Sequence, residues 1–181
     1  MILTDEQLQD FWSDGFVVVK GCFDAEEIGG LRDSARSDRE LDAHSSGRAD
    51  GEGGTVRLSV WNHPGEGIYG AVARCRRIVD SMEKILGGEV YHYHSKMILK
   101  DPKVGGAWTW HQDYGYWYHN SVLAPIMASA FIAVDRATRE NGCLQLLKGS
   151  HHLGRLDHVL TGEQAGADAE RVREAVSRLE L

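Results

Sequence analysis

The chain has 181 residues, 42% of them hydrophobic and 26% charged, with a formal net charge of −7. That length suits one domain with a real core. The acidic balance argues against nucleic acid or an anionic membrane surface as the main partner. The three cysteines, Cys22, Cys75 and Cys143, have no CxxC spacing and read as reduced thiols, so a cytoplasmic location is expected. The first residues form no basic, apolar leader, and no apolar run approaches the ~20 residues of a membrane span. A nucleophile elbow, a Walker loop and a dinucleotide-binding glycine pattern are all missing from the sequence.

Thr4-Asp5-Glu6-Gln7 is a capping-box pattern, and Leu8, Phe11 and Trp12 follow at helical spacing until Asp14-Gly15 stops the helix. Phe16 to Val19 reads as a short strand, and Asp24 caps a second helix over 25–37. Residues 38–54 are polar and glycine-rich and read as a loop. A strand is expected over 55–60, a helix with an apolar stripe over 68–86, and a strand over 90–99. Asp101 to Gly106 is a turn-rich connection into a strand bearing His111. A strongly apolar strand is expected over 126–134. Asn141-Gly142 suggests a tight hairpin returning through 143–147. Residues 151–166 read as loop and 167–179 as a charged helix. Helices first and strands later point to an antiparallel sheet or barrel with helices outside, an α+β to mainly β class.

Trp110-His111-Gln112-Asp113 carries the chemistry. On a strand, residues i and i+2 share a face, so His111 and Asp113 can aim a nitrogen and an oxygen at one metal ion. Such a pair with a distant second His makes the facial triad of non-heme Fe(II) oxygenases. The aromatic surround of Trp108, Trp110, Tyr114, Tyr116, Trp117 and Tyr118 suits a water-poor pocket. The plain alternatives are a strand histidine bonded to a carboxylate, and an ordinary aromatic core. His92 and His94 also share a face and read as pocket lining. Lys96 continues that face, either as a cation for a cosubstrate carboxylate or as an exposed edge lysine. His151-His152 diverge too far to chelate one ion and read as a surface pair.

Four stretches, in order, resemble the phytanoyl-CoA dioxygenase family of Fe(II)/2-oxoglutarate-dependent oxygenases. They are Phe11-Trp12-Ser13-Asp14-Gly15-Phe16-Val17-Val18, His94-Ser95-Lys96-Met97 leading to Lys100-Asp101-Pro102, Trp110-His111-Gln112-Asp113, and the run from Asn141 to His151. The resemblance implies a double-stranded β-helix (jelly roll, cupin-like) with flanking helices. It makes His111 and Asp113 iron ligands, places Lys96, His94 and Phe131 at the 2-oxoglutarate pocket, and puts Tyr114 and Trp117 on the substrate side. It implies Fe(II) as cofactor, 2-oxoglutarate as cosubstrate and a small organic molecule as substrate. With Asp113 present, hydroxylation is preferred to halogenation. His151 matches a structural turn of the family and is not expected to be the distal ligand.

The family's distal His, and the Arg that follows it to pair with 2-oxoglutarate, lie beyond the 167–179 helix. The jelly roll is therefore expected to be incomplete at its C-terminal end, as in a fragment or a truncated gene product, and the 181-residue chain alone to be poorly active. An open sheet edge invites self-association. Two other readings stand beside this one. One is a non-catalytic jelly-roll remnant serving as a binding or assembly module. The other is a cupin-like zinc or manganese protein using His92, His94 and His111.

Overall fold

The structure is a computed structural model that describes residues 3–181. Its first helix, α1 (Asp5–Asp14), begins where the sequence places it. The Thr4 hydroxyl accepts from the Gln7 amide, the Gln7 side chain accepts from the Thr4 amide, and Gly15 ends the helix. α2 (Ala25–Ser37) starts on Asp24, whose carboxylate accepts from the Glu26 and Glu27 amides. Residues 16–19, expected as a strand, have no strand partner and form an irregular connection. β-branched composition favours extension, but a strand exists only when another segment takes up its backbone bonds.

The stretch 38–54 corrects the loop reading. Asp38 caps a short helix, α3 (Arg39–Ala43), through the Glu40 and Leu41 amides. β1 (Ser46–Ala49) then pairs antiparallel with β2 (Thr55–Trp61), Ser46 opposite Leu58. β1 is polar and carries no alternation; pairing alone makes it a strand. The expected 68–86 helix is two helices, α4 (Ile68–Ala73) and α5 (Arg76–Leu86), because Cys75 adopts an extended backbone between them. β3 (Ser95–Leu99) is the second half of the expected 90–99 strand and pairs antiparallel with β2, Leu58 opposite Ile98. The sheet order is β1-β2-β3.

α1 is tied to α5 by the Trp12 indole N–H donating to the Ile85 carbonyl at 3.4 Å and by Lys84 reaching the Leu3 carbonyl at 3.1 Å. The core is small. Val56 and Leu58 on one face of β2 are buried, with Leu3, Leu8, Leu31 and Leu41 from the helical layer. A partly buried ion cluster spans the sheet: Arg57 on the central strand is bonded to Asp42, ahead of β1, and to Asp101, after β3.

The second half of the chain has few regular elements. Residues 107–112 form no strand ladder among the described residues. α6 (Asp113–Trp117) begins at Asp113 itself, so His111 and Asp113 do not share a strand. Residues 126–134 and 143–147 form no strand either. The segment expected as a tight hairpin at Asn141-Gly142 is instead a single 3-10 turn, in which the Asn141 side chain caps the Thr138 amide. Residues 158–166, read as loop, and Ala167, read as the start of a helix, form a hairpin of β4 (His158–Thr161) and β5 (Gln164–Ala167), His158 opposite Ala167. Its two-residue turn, Gly162-Glu163, matches the preference of tight hairpins for glycine. Gly162 has φ +59°, and a Cβ there would lie 2.7 Å from the Gly51 amide nitrogen. Asp168 caps the last helix, α7 (Ala169–Arg178). The architecture is thus a mixture of helices with one three-stranded and one two-stranded antiparallel sheet. The strands of a closed jelly roll are not formed among the described residues.

Candidate functional site

His111 and Asp113 come together although the strand argument for them fails. His111 Nε2 lies 3.3 Å from Asp113 Oδ1, with the two side chains 26% and 39% exposed. The His111 Nδ1–H donates to the Thr109 carbonyl at 2.9 Å. A carbonyl can only accept, so this bond places a proton on Nδ1 and turns Nε2 toward the carboxylate. Nitrogen and oxygen lone pairs facing each other at this distance require a cation between them, either a ring proton or a metal ion.

Asp113 is held ionised. Its pKa falls to about 2, first through the hydrogen bond from His111, which outweighs the opposing cost of burial. Attraction to His111 and Lys96 and the Ser129 hydroxyl, donating to Oδ2 at 3.1 Å, add to it. A metal ligand must be deprotonated, and this carboxylate is.

The neighbouring expected residues divide into two groups. His94 and Trp117 meet, ring centroids 5.0 Å apart, and Tyr93 packs edge-on to Trp117 at 5.1 Å. Burial, helped by the charge of Lys96, pushes the His94 pKa down, so its ring is neutral. Its Nδ1 is buried without a hydrogen-bond partner among the described residues. The Lys96 ammonium lies 5.7 Å from the Trp108 ring centroid, at the outer reach of a cation–π contact. Tyr114 is turned elsewhere, its hydroxyl donating to the Leu123 carbonyl at 3.2 Å. Phe131 is 57% exposed; on its segment it is Ser129 that touches the site. His92 Nε2 is engaged with the Ser95 hydroxyl at 2.8 Å. Among the described residues no three His, Cys, Asp or Glu side chains converge where a metal ion would sit. A zinc or manganese site from His92, His94 and His111 is therefore not formed. The cavities of about 420 Å³ beside α1 and about 210 Å³ between α2 and α4 are lined by none of these residues.

What holds the 107–112 segment was not legible beforehand. The Asp50 carboxylate accepts from the Ala107 amide at 3.1 Å. The buried Gln164 side chain accepts from the Thr109 amide at 2.8 Å and donates to the Ala107 carbonyl at 3.0 Å. The Ala167 amide donates to the Trp110 carbonyl at 2.8 Å. The Gln112 amide donates to His158 Nε2 at 3.1 Å. The Gln112 side chain donates to the Gly154 carbonyl at 2.6 Å and accepts from the Leu156 amide at 2.9 Å. Asp50 sits in a local Asp-Gly turn, its carboxylate accepting from the Glu52 and Gly54 amides, but only folding brings it, Gln164, Ser129 and His158 here. The one available sequence signal was the Gly162-Glu163 turn, which marks the hairpin bearing two of them.

The family model described as phytanoyl-CoA dioxygenase matches residues 11–178. The chain belongs to this family. It is 37% identical over 100 residues to an L-proline trans-4-hydroxylase of Streptomyces griseoviridis, covering 55% of this chain and 37% of that protein. It is 29% identical over 158 residues to an ectoine dioxygenase of Bordetella parapertussis, covering 82% of this chain and 50% of the relative. An ectoine dioxygenase of Halomonas elongata is 27% identical over 157 residues, covering 83% and 47%. The chain thus spans half or less of the length of these relatives. No helix among the described residues is long and apolar enough to cross a membrane.

Proposed function

We propose that this phytanoyl-CoA dioxygenase family chain carries the His-x-Asp part of an Fe(II)/2-oxoglutarate-dependent hydroxylase acting on a small organic molecule. The observation that carries the reading is the His111–Asp113 pair: the Thr109 bond turns ring nitrogen Nε2 toward a carboxylate 3.3 Å away, a position that a ring proton or a metal ion can fill. A nitrogen and a carboxylate oxygen suit Fe(II). Bound there, Fe(II) with 2-oxoglutarate supplies the oxidising chemistry for inserting oxygen into a C–H bond.

The chain's own residues hold, orient and shield. His111 and Asp113 are the ligands. Thr109 fixes the ring of the first and Ser129 the carboxylate of the second. Lys96 places a positive charge on the Asp113 side of the pocket, where it is suited to a 2-oxoglutarate carboxylate. His94, Trp117 and Tyr93 pack as an aromatic cluster suited to limiting water on one side of the reacting centre. Tyr114 and Phe131 belong to the same pocket only if the segments bearing them turn inward when ligands bind. For the complete domain we infer the double-stranded β-helix, to which the segments 107–112, 126–134 and 143–147 contribute strands. With two ligands among the described residues, the 181-residue chain holds iron weakly and turns over slowly.

The test is anaerobic titration of the 181-residue chain with Fe(II) and 2-oxoglutarate, following the visible charge-transfer band of the chelate and the metal dissociation constant. Binding of one equivalent that His111→Ala and Asp113→Ala each weaken at least about 10-fold is the expected result. Equal binding by wild type and both variants overturns the reading. L-proline and ectoine, named by the relatives, are the first substrates to try.

A further inference from the structure

We infer that His158 is a positioning residue for the His111–Asp113 pair, acting through the backbone of the residue between them. This rests on the function proposed above. His158 opens β4, 46 residues from Gln112 in sequence, yet its Nε2 accepts the Gln112 amide at 3.1 Å. Its Nδ1–H donates to the Leu156 carbonyl at 3.0 Å. An amide donor on one nitrogen and a carbonyl acceptor on the other leave one neutral tautomer that satisfies both. Neither nitrogen is free for a metal, so His158 is not a third ligand.

The peptide that His158 grips sits at the point where the backbone changes from extended, at Gln112, to helical, at Asp113. That change replaces the strand geometry expected for the pair. It takes Nε2 and Oδ1 to 3.3 Å through a bend rather than through a shared strand face. A bend with no ladder around it needs its amide satisfied and its direction fixed, and His158 does both. The Gln112 side chain, bonded to Gly154 and Leu156, clamps the same residue to the segment that leads into the strand carrying His158. An independent feature fits the arrangement: Gly115 in α6 is buried, and a Cβ there would overlap both the His158 ring and the Leu156 carbonyl. The helix that begins with Asp113 therefore packs directly on the imidazole.

Three variants of the 181-residue chain separate the acceptor from the bulk of the ring. His158→Gln keeps an acceptor where Nε2 stands, His158→Asn keeps only a donor where Nδ1 stands, and His158→Ala keeps neither. Two readouts are needed: hydrogen exchange of the Gln112 amide in the metal-free protein, and Co(II) affinity from its visible absorption, with Asp113→Ala as the control. The expected result is slow exchange in wild type and His158→Gln, and fast exchange in His158→Asn and His158→Ala. Co(II) binding is expected to be about 10- to 100-fold weaker in the latter two and restored in His158→Gln. Equal exchange in wild type and His158→Asn overturns the brace. Faster exchange with unchanged Co(II) affinity overturns the positioning role, as does failure of His158→Gln to restore both readouts. If wild type shows no Asp113-dependent Co(II) binding, the metal reading falls and the positioning role with it, while the exchange data still decide whether the brace exists.

Discussion

Residues 3–99 and residues 107–168 are held together by different kinds of bond. In the first region α1, α2 and α3 are capped by their own neighbours, and β1, β2 and β3 exchange backbone bonds along a ladder. In the second, the segment that carries His111 has no ladder. Apart from one backbone bond, from the Ala167 amide to the Trp110 carbonyl, its distant partners are the side chains of Asp50, Gln164 and His158. A ladder survives most side-chain substitutions because the backbone supplies it. A segment bonded by side chains does not, so single substitutions outside the site reach the site.

The contrast can be broken at its strongest point first. Leu58→Ala removes a buried side chain from the centre of the β2 sheet and is expected to cost about 2–5 kcal/mol. Chemical denaturation measures this, and Thr109 and Gln112 amide exchange in the native state should stay as in wild type. Next comes Gln164→Leu, which keeps bulk at a buried position but leaves the Thr109 amide without its acceptor. The expected cost is about 1–3 kcal/mol, together with faster Thr109 exchange. Should the two variants speed Thr109 exchange equally, both regions open as one unit and the distinction fails.

Smaller effects sharpen the picture of the helical region. Asp24→Ala deletes the α2 cap and is expected to cost about 0.5–2 kcal/mol, without altering metal affinity. The smallest concerns acid. The bond from Arg77, aided by the Asp24 amide, lowers the pKa of Glu27 from 4.5 to about 2. Because the folded value lies below the unfolded one, the stabilisation is fully present above pH 4.5 and is lost as pH falls toward 2. Glu27→Gln should therefore lose less stability than wild type between pH 6 and pH 3, read as a smaller drop in urea midpoint. An equal drop would mean that the exposed pair contributes nothing measurable.

The elements legible in the sequence are those whose signals are local. Thr4 and Asp24 announce α1 and α2 because a cap is satisfied within three residues, and α7 follows its own apolar stripe. β2 was visible through its β-branched run. The failures share one cause: a strand is defined by its partner. Residues 16–19 and 126–134 have strand composition and no partner, whereas Ser46–Ala49 has neither composition nor alternation and is a strand because β2 lies beside it. The break at Cys75 and the helical turn at Asp113 are likewise settled by packing rather than by propensity.

For the candidate site, the sequence by itself pointed to the proposed donor pair, since a His and a carboxylate two positions apart stay close in either an extended or a bent backbone. It also determined the membership that the family match shows over residues 11–178. Only the tertiary structure decided how the pair is aimed. The proton on His111 Nδ1, the hydroxyl on Asp113 and the grip of His158 on Gln112 each come from a contact. The Ser129 and His158 contacts join residues 16 and 46 positions apart, and no periodicity spans such distances; the chain has to fold before these groups meet.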